Sequence, residues 1–377
     1  MAKGLLICTE HACDSGHIIA EAQLNSEATL NSLDLQMVRE ITQTLRRWAT
    51  QDDVVLVVLT GAGDKAFCAG GDIQALYRAM VANHEQERIV DDYPYRFFEE
   101  EYRLDHYIHT YPKPVITLGH GIVMGGGLGL LSASAYRVLT ERSRIASPEI
   151  SIGLFPDAGA SWLLKNIPQH YAIFLALTGS QINATDALQL GIATHCIAHG
   201  SRASLINQLC RLPWHTAPTQ GLLDDLLDDL LDEQLTVDDS LMPAARISDV
   251  PERAIDFDDV AAQVAALTEL PSENEWVQRG IKNLDQGCPT SAGIVVEQLK
   301  RVQTMTIADT FRMELTIATH CANNRDFSEG VRALLIDKDN NPNWQYNDLA
   351  TLPRQHVLSH FAPPWTQHPL GDLGEHL

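Results

Sequence analysis

Residues 148–160, "PEISIGLFPDAGA", place Glu149 and Asp157 eight positions apart in a run otherwise made of apolar residues, glycine, proline and one serine. Glu149 follows Pro148 at the start of an apolar stretch, where burial would disfavour its charged form and suit it to proton transfer. Asp157 has two readings: a second acid/base group, or a helix N-cap whose oxygen accepts a first-turn amide. Two glycine-rich turns offer backbone donors. In "LTGAGDKAFCAGGDI" (59–73), Gly70, Gly71 and Asp72 fit an exposed turn whose amides point at an anion or polarised carbonyl, with Asp72 capping the next helix. In "GHGIVMGGGLG" (119–129), Gly125, Gly126 and Gly127 would leave N–H groups uncovered at a helix N-terminus. The alternative role of those glycines is to let the helix approach the sheet closely. His120 is the nearest histidine to this run, and packing or hydrogen bonding is its simpler role.

Other chemistries lose their usual support. The chain has no GxSxG elbow, no HExxH and no GxxxxGK[ST]. Gly61, Gly63 and Ala66 satisfy a relaxed dinucleotide fingerprint, but "DKAFCAGG" would then have to open a helix, and its paired glycines favour a turn. Seven scattered cysteines lack metal spacing, so neither a metal site nor a disulfide framework is expected, and a reducing compartment is. A formal charge of -22 repels a phosphate backbone and argues against nucleic acid as a partner. An anionic ligand would need local donors, with Lys65, Arg103 and Lys113 as isolated cations. The start, "MAKGLLICTEHACDSG", does not resemble a signal peptide, and a cytoplasmic location is expected. Residues 115–135 are nearly uncharged and long enough to span a bilayer, yet their glycines point to a buried core element, so no membrane partner is expected.

These groups need elements to position them. Strands are predicted at 17–24, at the β-branched run "VVLVVLTG" (54–61), in "KPVITLGHG", and on both sides of a turn in "YRVLTERSRIASPEI". Helices are predicted over 32–50, where Leu33, Met37, Ile41 and Leu45 form a stripe, from Asp72 onward, through an irregular charged stretch at 82–111, and in "GGLGLLSASA". This alternation through about residue 210 argues α/β. Composition then changes, with a module boundary expected in 211–221. The division is residues 1–215 as a catalytic core and 216–377 as a mainly helical region. The latter opens on "LLDDLLDDLLDEQLTVDD", an amphipathic helix whose acidic face is either solvated surface or a docking face for a basic partner. Further helices are expected in 255–267 and 293–322, and an irregular surface tail from "PRQHVLSHFAPP" onward.

Taken together, "AFCAGGDI", "KPVITLGHGIVMGGGLGL", "PEISIGLFPDAG" and "FLALTGSQINATDALQLGIATH" resemble the enoyl-CoA hydratase/isomerase (crotonase) superfamily over roughly residues 16–200. The resemblance implies a spiral of β-β-α repeats, an acyl-CoA substrate, and two amides, those of Gly71 and Gly126, holding the thioester oxygen as charge develops. Hydratases of that superfamily carry a glutamate two residues after the triple glycine, where this chain has Gly129; Glu149 keeps their second glutamate. "PEISIGLFPDAG" and the charged segment at 96–114 resemble instead the 3-hydroxyisobutyryl-CoA hydrolase branch. That branch implies thioester hydrolysis in valine breakdown, Glu101 lining the acyl pocket, and Asp157 meeting the substrate hydroxyl or managing a proton. Glu149 would be nucleophile or general base, and the two stay open. The rival is a hydratase or isomerase acting on an unusual acyl-CoA. CoA enters as part of the substrate, with no separate cofactor, and a homo-oligomer is compatible with the superfamily.

Overall fold

The computed structural model describes residues 4–374 apart from 215–219, 236, 253–256, 258–259 and 270–272. The expected division between 215 and 216 therefore lies outside the described residues. Two compact units are instead each built from three separated stretches. The first takes residues up to 70, 107–145 and 182–245; the second takes 71–106, 146–181 and 246–377.

The first unit carries a six-stranded sheet. Its strands are β1 (Leu6–Ala12), β2 (Ile18–Leu24), β3 (Val54–Gly61), β5 (Val115–Gly119), β7 (Tyr136–Thr140) and β9 (His195–Ile197), in that spatial order. Only β1 runs antiparallel to its neighbour; the rest are parallel. Sequence reading overlooked β1 because its residues Cys8, Thr9 and Glu10 are exposed, as an edge strand permits. Short strands β4 (Ala66–Cys68), β6 (Ile122–Met124) and β8 (Arg144–Ala146) form a second sheet. The chain thus repeats one pattern three times: a strand in the large sheet, a strand in the small one, then a helical turn. This is the expected spiral of β-β-α repeats.

The reasons are local. Every residue of β3 except Val55 is buried, as a strand covered on both faces requires. Asp34 caps the helix Leu35–Ala49 by accepting the Met37 amide at 2.7 Å, and the stripe Met37, Ile41 and Leu45 is buried beneath it. Ala66 opens strand β4 rather than a helix, which removes the dinucleotide reading. The apolar run 115–135 divides into β5, β6 and the eight-residue helix Gly126–Ala133, and no described helix is long and apolar enough to cross a membrane.

The acidic amphipathic segment forms the helix Gln220–Asp228 and a π turn, Asp229–Gln234. Leu227, Leu230 and Leu231 join Ile116, Val138, Ile197 and Trp214 in the core of this unit. Burying each such leucine is worth about 1.5–3 kcal/mol of transfer free energy. Asp225, Asp228, Asp229 and Asp232 are exposed, and two acids tether the helix: half-buried Asp224 accepts the Tyr136 hydroxyl at 2.5 Å, and Asp228 meets His195 Nε2 at 2.9 Å.

The second unit is mainly helical. The run expected over 293–322 is two helices, Pro289–Val302 and Ile307–Asn323, because Thr306 starts the second by capping the Asp309 amide at 3.1 Å. The tail is less free than its composition suggests. Leu370 is fully buried, Arg312 donates to Leu370 O at 3.0 Å, and Arg103 pairs with Asp372 at 2.9 Å.

Candidate active site

Glu149 begins a 3-10 turn, Glu149–Ile152, that ends at Gly153 with φ 73. A Cβ on Gly153 would stand 2.4 Å from the Asp326 carbonyl oxygen, so this turn closes against the helix Arg325–Val331 only with glycine there. Asp157 follows in an irregular loop, after which the helix Ala160–Lys165 starts. The N-cap reading of Asp157 is corrected here. Gly159 is the N-cap residue, and Asp157 serves the helix only through its backbone oxygen, which accepts the Ala160 amide at 2.9 Å. Its carboxylate instead accepts the Tyr102 hydroxyl at 2.6 Å.

Tyr102 lies beside Glu101 on the helix Tyr93–His109, and Asp105 is one turn further on. Glu314, on the helix Ile307–Asn323, completes a set of five buried carboxyl groups within one unit that act on one another by charge: Glu101, Asp105, Glu149, Asp157 and Glu314. Burial is the first cause acting on each, disfavouring the charged form. It holds Glu101, Asp105 and Glu149 well above the usual carboxylate range, reinforced in each case by the charge of Asp157. Burial also pushes Asp157 up to about 6, against the opposing hydrogen bond from Tyr102. Glu314 is pushed up to about 8 by burial, although Ser161 and Gly159 donate to it.

Four carboxyl oxygens have no hydrogen-bond partner although buried: Glu101 Oε1, Glu149 Oε2 and both oxygens of Asp105. Such atoms cost about 1–3 kcal/mol each when nothing meets them. Oxygens left in this way are open to a guest with a hydroxyl or a water molecule to offer. Glu149 and Asp157 titrate as interacting groups, so the first proton lost leaves one charge that opposes the second loss. The arrangement provides one acid and one base at the same pH, which general acid–base or nucleophilic chemistry needs.

The glycines hold different positions. Gly70 has φ 101, and a Cβ on Gly71 would come 2.9 Å from Phe97 Cζ. Asp72 caps the helix Ile73–Glu85 by accepting the Ala75 amide at 3.0 Å, as expected. Gly125, with φ 50, turns the chain into the helix Gly126–Ala133. Gly126 is the first helical residue, so its N–H has no intrahelical acceptor. Gly71 belongs to the second unit and Gly126 to the first. Gly129 is buried inside its helix and offers no carboxylate.

Remaining candidates have other duties. His120 is buried, its Nε2 lies 2.9 Å from Gly63 O, and burial pushes it down to about 4, which leaves it neutral at physiological pH. Lys113 donates to the carbonyl oxygens of Trp48 and Gln51, and Arg103 is taken by Glu99 and Asp372. Lys65 is exposed. Sequence reading did not find Tyr102, Asp105 or Glu314. The available signals were an acid repeated four residues after Glu101 on one helix, and a lone acid inside the apolar run "FRMELTIA".

Comparisons with known proteins agree with this architecture. A family model described as enoyl-CoA hydratase/isomerase matches residues 19–361. The chain is 35% identical over 349 residues to the mitochondrial 3-hydroxyisobutyryl-CoA hydrolase of Danio rerio, covering 90% of this chain and 86% of that one. It is 32% identical over 347 residues to small ribosomal subunit protein mS47 of Neurospora crassa, covering 89% of this chain and 67% of that one. Among solved structures, a carnitinyl-CoA dehydratase from Mycobacterium thermoresistibile aligns with a TM-score of 0.77 at 29% identity, covering 94% of this chain and 96% of that one.

Proposed function

The chain belongs to the enoyl-CoA hydratase/isomerase family, and we propose that it hydrolyses the thioester of 3-hydroxyisobutyryl-CoA to CoA and 3-hydroxyisobutyrate, a step of valine breakdown. The observation that carries this reading is the buried set containing Glu149 and Asp157, in a chain whose residue 129 is glycine. Two-carboxylate addition of water to a double bond lacks its first acid at Gly129. Cleavage of a thioester needs one base or nucleophile, one proton donor and an oxyanion site.

In the proposed reaction, the Gly71 and Gly126 amides donate to the thioester oxygen as it gains charge; losing one such donor costs about 3 kcal/mol. Glu149, having first passed its proton to ionised Asp157, either attacks the acyl carbon, giving a mixed anhydride that water then opens, or takes a proton from the attacking water. The carbon–sulfur bond breaks and the CoA sulfur leaves with a proton supplied through Asp157. Asp157 also accepts the substrate hydroxyl, and Glu101 lines the acyl pocket. No cofactor beyond the CoA of the substrate is required.

The test is thiol release from 3-hydroxyisobutyryl-CoA set against loss of enoyl absorbance with crotonyl-CoA. Enoyl turnover without thiol release would favour the second reading, a hydratase with Asp157 replacing the acid absent at Gly129, which the likeness to a carnitinyl-CoA dehydratase supports. Tight CoA binding with neither reaction would match a non-catalytic role, a reading raised by the ribosomal relative. A single turnover in oxygen-18 water separates the two roles of Glu149, since only the anhydride route labels the protein carboxylate. A cytoplasmic location is part of this proposal, although the Danio rerio relative is named as mitochondrial; cell fractionation decides it. Self-association into a homo-oligomer is proposed likewise, with sedimentation as its measure.

A further inference from the structure

The loop that carries Asp157 is held from both sides by two C-terminal helices. Glu314 is wholly buried, and both of its oxygens accept: Oε2 from the Gly159 amide at 2.8 Å, Oε1 from the Ser161 amide at 3.1 Å and the Ser161 hydroxyl at 2.5 Å. Gln298, on the helix Pro289–Val302, donates Nε2 to the Pro156 carbonyl at 2.7 Å and also to Ser161 Oγ. Pro156 immediately precedes Asp157, and Gly159 and Ser161 follow closely. Between these anchors Ala158 takes φ 53, a left-handed conformation that is strained for a non-glycine residue and persists only where its surroundings enforce it. We infer that Glu314 is a positioning residue for the thioester chemistry, fixing residues 156–161 so that the Asp157 carboxylate stays on the Tyr102 hydroxyl and faces the acyl group. This rests on the proposed role of Asp157.

A carboxylate is the side chain this position calls for. Burial favours its proton, but the three donors aimed at its oxygens oppose protonation and are met by acceptors alone in the ionised form, whereas glutamine would turn an NH2 against at least one of them. Ser161 links the two anchors, since its hydroxyl donates to Glu314 while its oxygen accepts from Gln298. The support therefore comes from one connected network, in which loss of any member loosens the same short segment.

The experiment is steady-state kinetics with 3-hydroxyisobutyryl-CoA on Glu314→Gln and Ser161→Ala, each made alone and together with Asp157→Asn. Glu314→Gln should lower kcat about tenfold or more while KM changes less than about threefold, and in the Asp157→Asn background its further effect should shrink to about twofold, as for residues acting through one group. The low-pH limb of its kcat/KM profile should move to higher pH, because Asp157 loses the Tyr102 donor that favours its ionised form. Equal fold-losses in both backgrounds, or wild-type kcat in Glu314→Gln, would overturn the inference. Should Glu314→Gln fail to fold, Ser161→Ala carries the same cycle and the same two outcomes. Wild-type turnover in Asp157→Asn alone is a separate result: it removes the premise, and the positioning role with it.

Discussion

Asp157→Asn should make the protein more stable and less active together, and the two effects can be measured separately. Burial pushes the Asp157 carboxyl from 3.8 up to about 6. Between those values the folded chain keeps a proton that the unfolded chain has released. The stability attached to that proton is fully present below the unfolded pKa and is lost as pH rises through the folded one. A shift of about two units corresponds to about 3 kcal/mol once both states are ionised, at about 1.4 kcal/mol per unit. Asparagine has the same shape, carries no charge, and keeps an oxygen to accept the Tyr102 hydroxyl. Its stability should lack this pH dependence. Urea unfolding of both proteins at pH 4.5 and pH 8 is the assay, and the advantage of the variant should grow by about 2 kcal/mol between the two. Activity should fall at least about tenfold over the same comparison, as expected for loss of a group used in proton transfer. A stability difference that is the same at both pH values, or a variant less stable at pH 8, would show that Asp157 is not a strained buried carboxylate and would refute the reasoning.

Glu149→Gln should abolish thioester cleavage while leaving the circular dichroism spectrum unchanged; near-normal cleavage would reject the site. Gly71→Ala puts a Cβ 2.9 Å from Phe97 Cζ, so kcat/KM should drop about 100-fold as the amide is displaced, with partial recovery when Phe97→Leu is added. Gly153→Ala adds a Cβ 2.4 Å from the Asp326 carbonyl oxygen at φ +73, and thermal unfolding should show a loss above about 3 kcal/mol. Gly191→Ala, at φ +68 with open space around it, is the control and should lose only about 1–2 kcal/mol. Isobutyryl-CoA, which lacks the substrate hydroxyl, should be cleaved about 100-fold less efficiently, because the oxygens that meet the hydroxyl are then left buried and bare.

Residue pattern predicted those elements whose reasons are local. The run 54–61 is a strand because its β-branched residues are covered on both faces, and Asp34 and Asp72 cap their helices as short polar side chains do. The resemblance carried Glu101, Glu149 and Asp157, and the structure places all three among buried carboxyls of one unit. Local pattern misled where a tertiary partner outweighs it. Asp157 stands two residues before an N-cap position that glycine fills, and its carboxyl is claimed by Tyr102, fifty-five residues earlier. The tail from residue 353 reads as irregular, yet buried Leu370 and the contacts of Arg103 and Arg312 hold it within the second unit in a way that no sequence period encodes. Glu314 was hidden in the same way: an acid at the centre of an apolar helix acquires meaning only from donors 153 and 155 residues away in the chain.

Through those distant donors, the inferred role of Glu314 ties the long C-terminal region to the proposed reaction. A carboxylate on a helix is aimed by that helix, whose backbone satisfies its own hydrogen bonds. Gly129 leaves the helix Gly126–Ala133 without such a group, and Asp157, which joins Glu149 in the proposed reaction, sits on a loop with little regular structure. A loop holds a side chain to the tolerance catalysis demands only when its backbone groups find partners elsewhere. Here those partners are Glu314 and Gln298 on the two helices spanning 289–323. An acid on a loop therefore needs elements that grip the loop, and the buried charge of Glu314 also raises the affinity of Glu101, Asp105 and Glu149 for protons. In the proposed reaction Glu314 thus both fixes Asp157 in place and helps to keep one proton in the site, where the departing thiolate needs it.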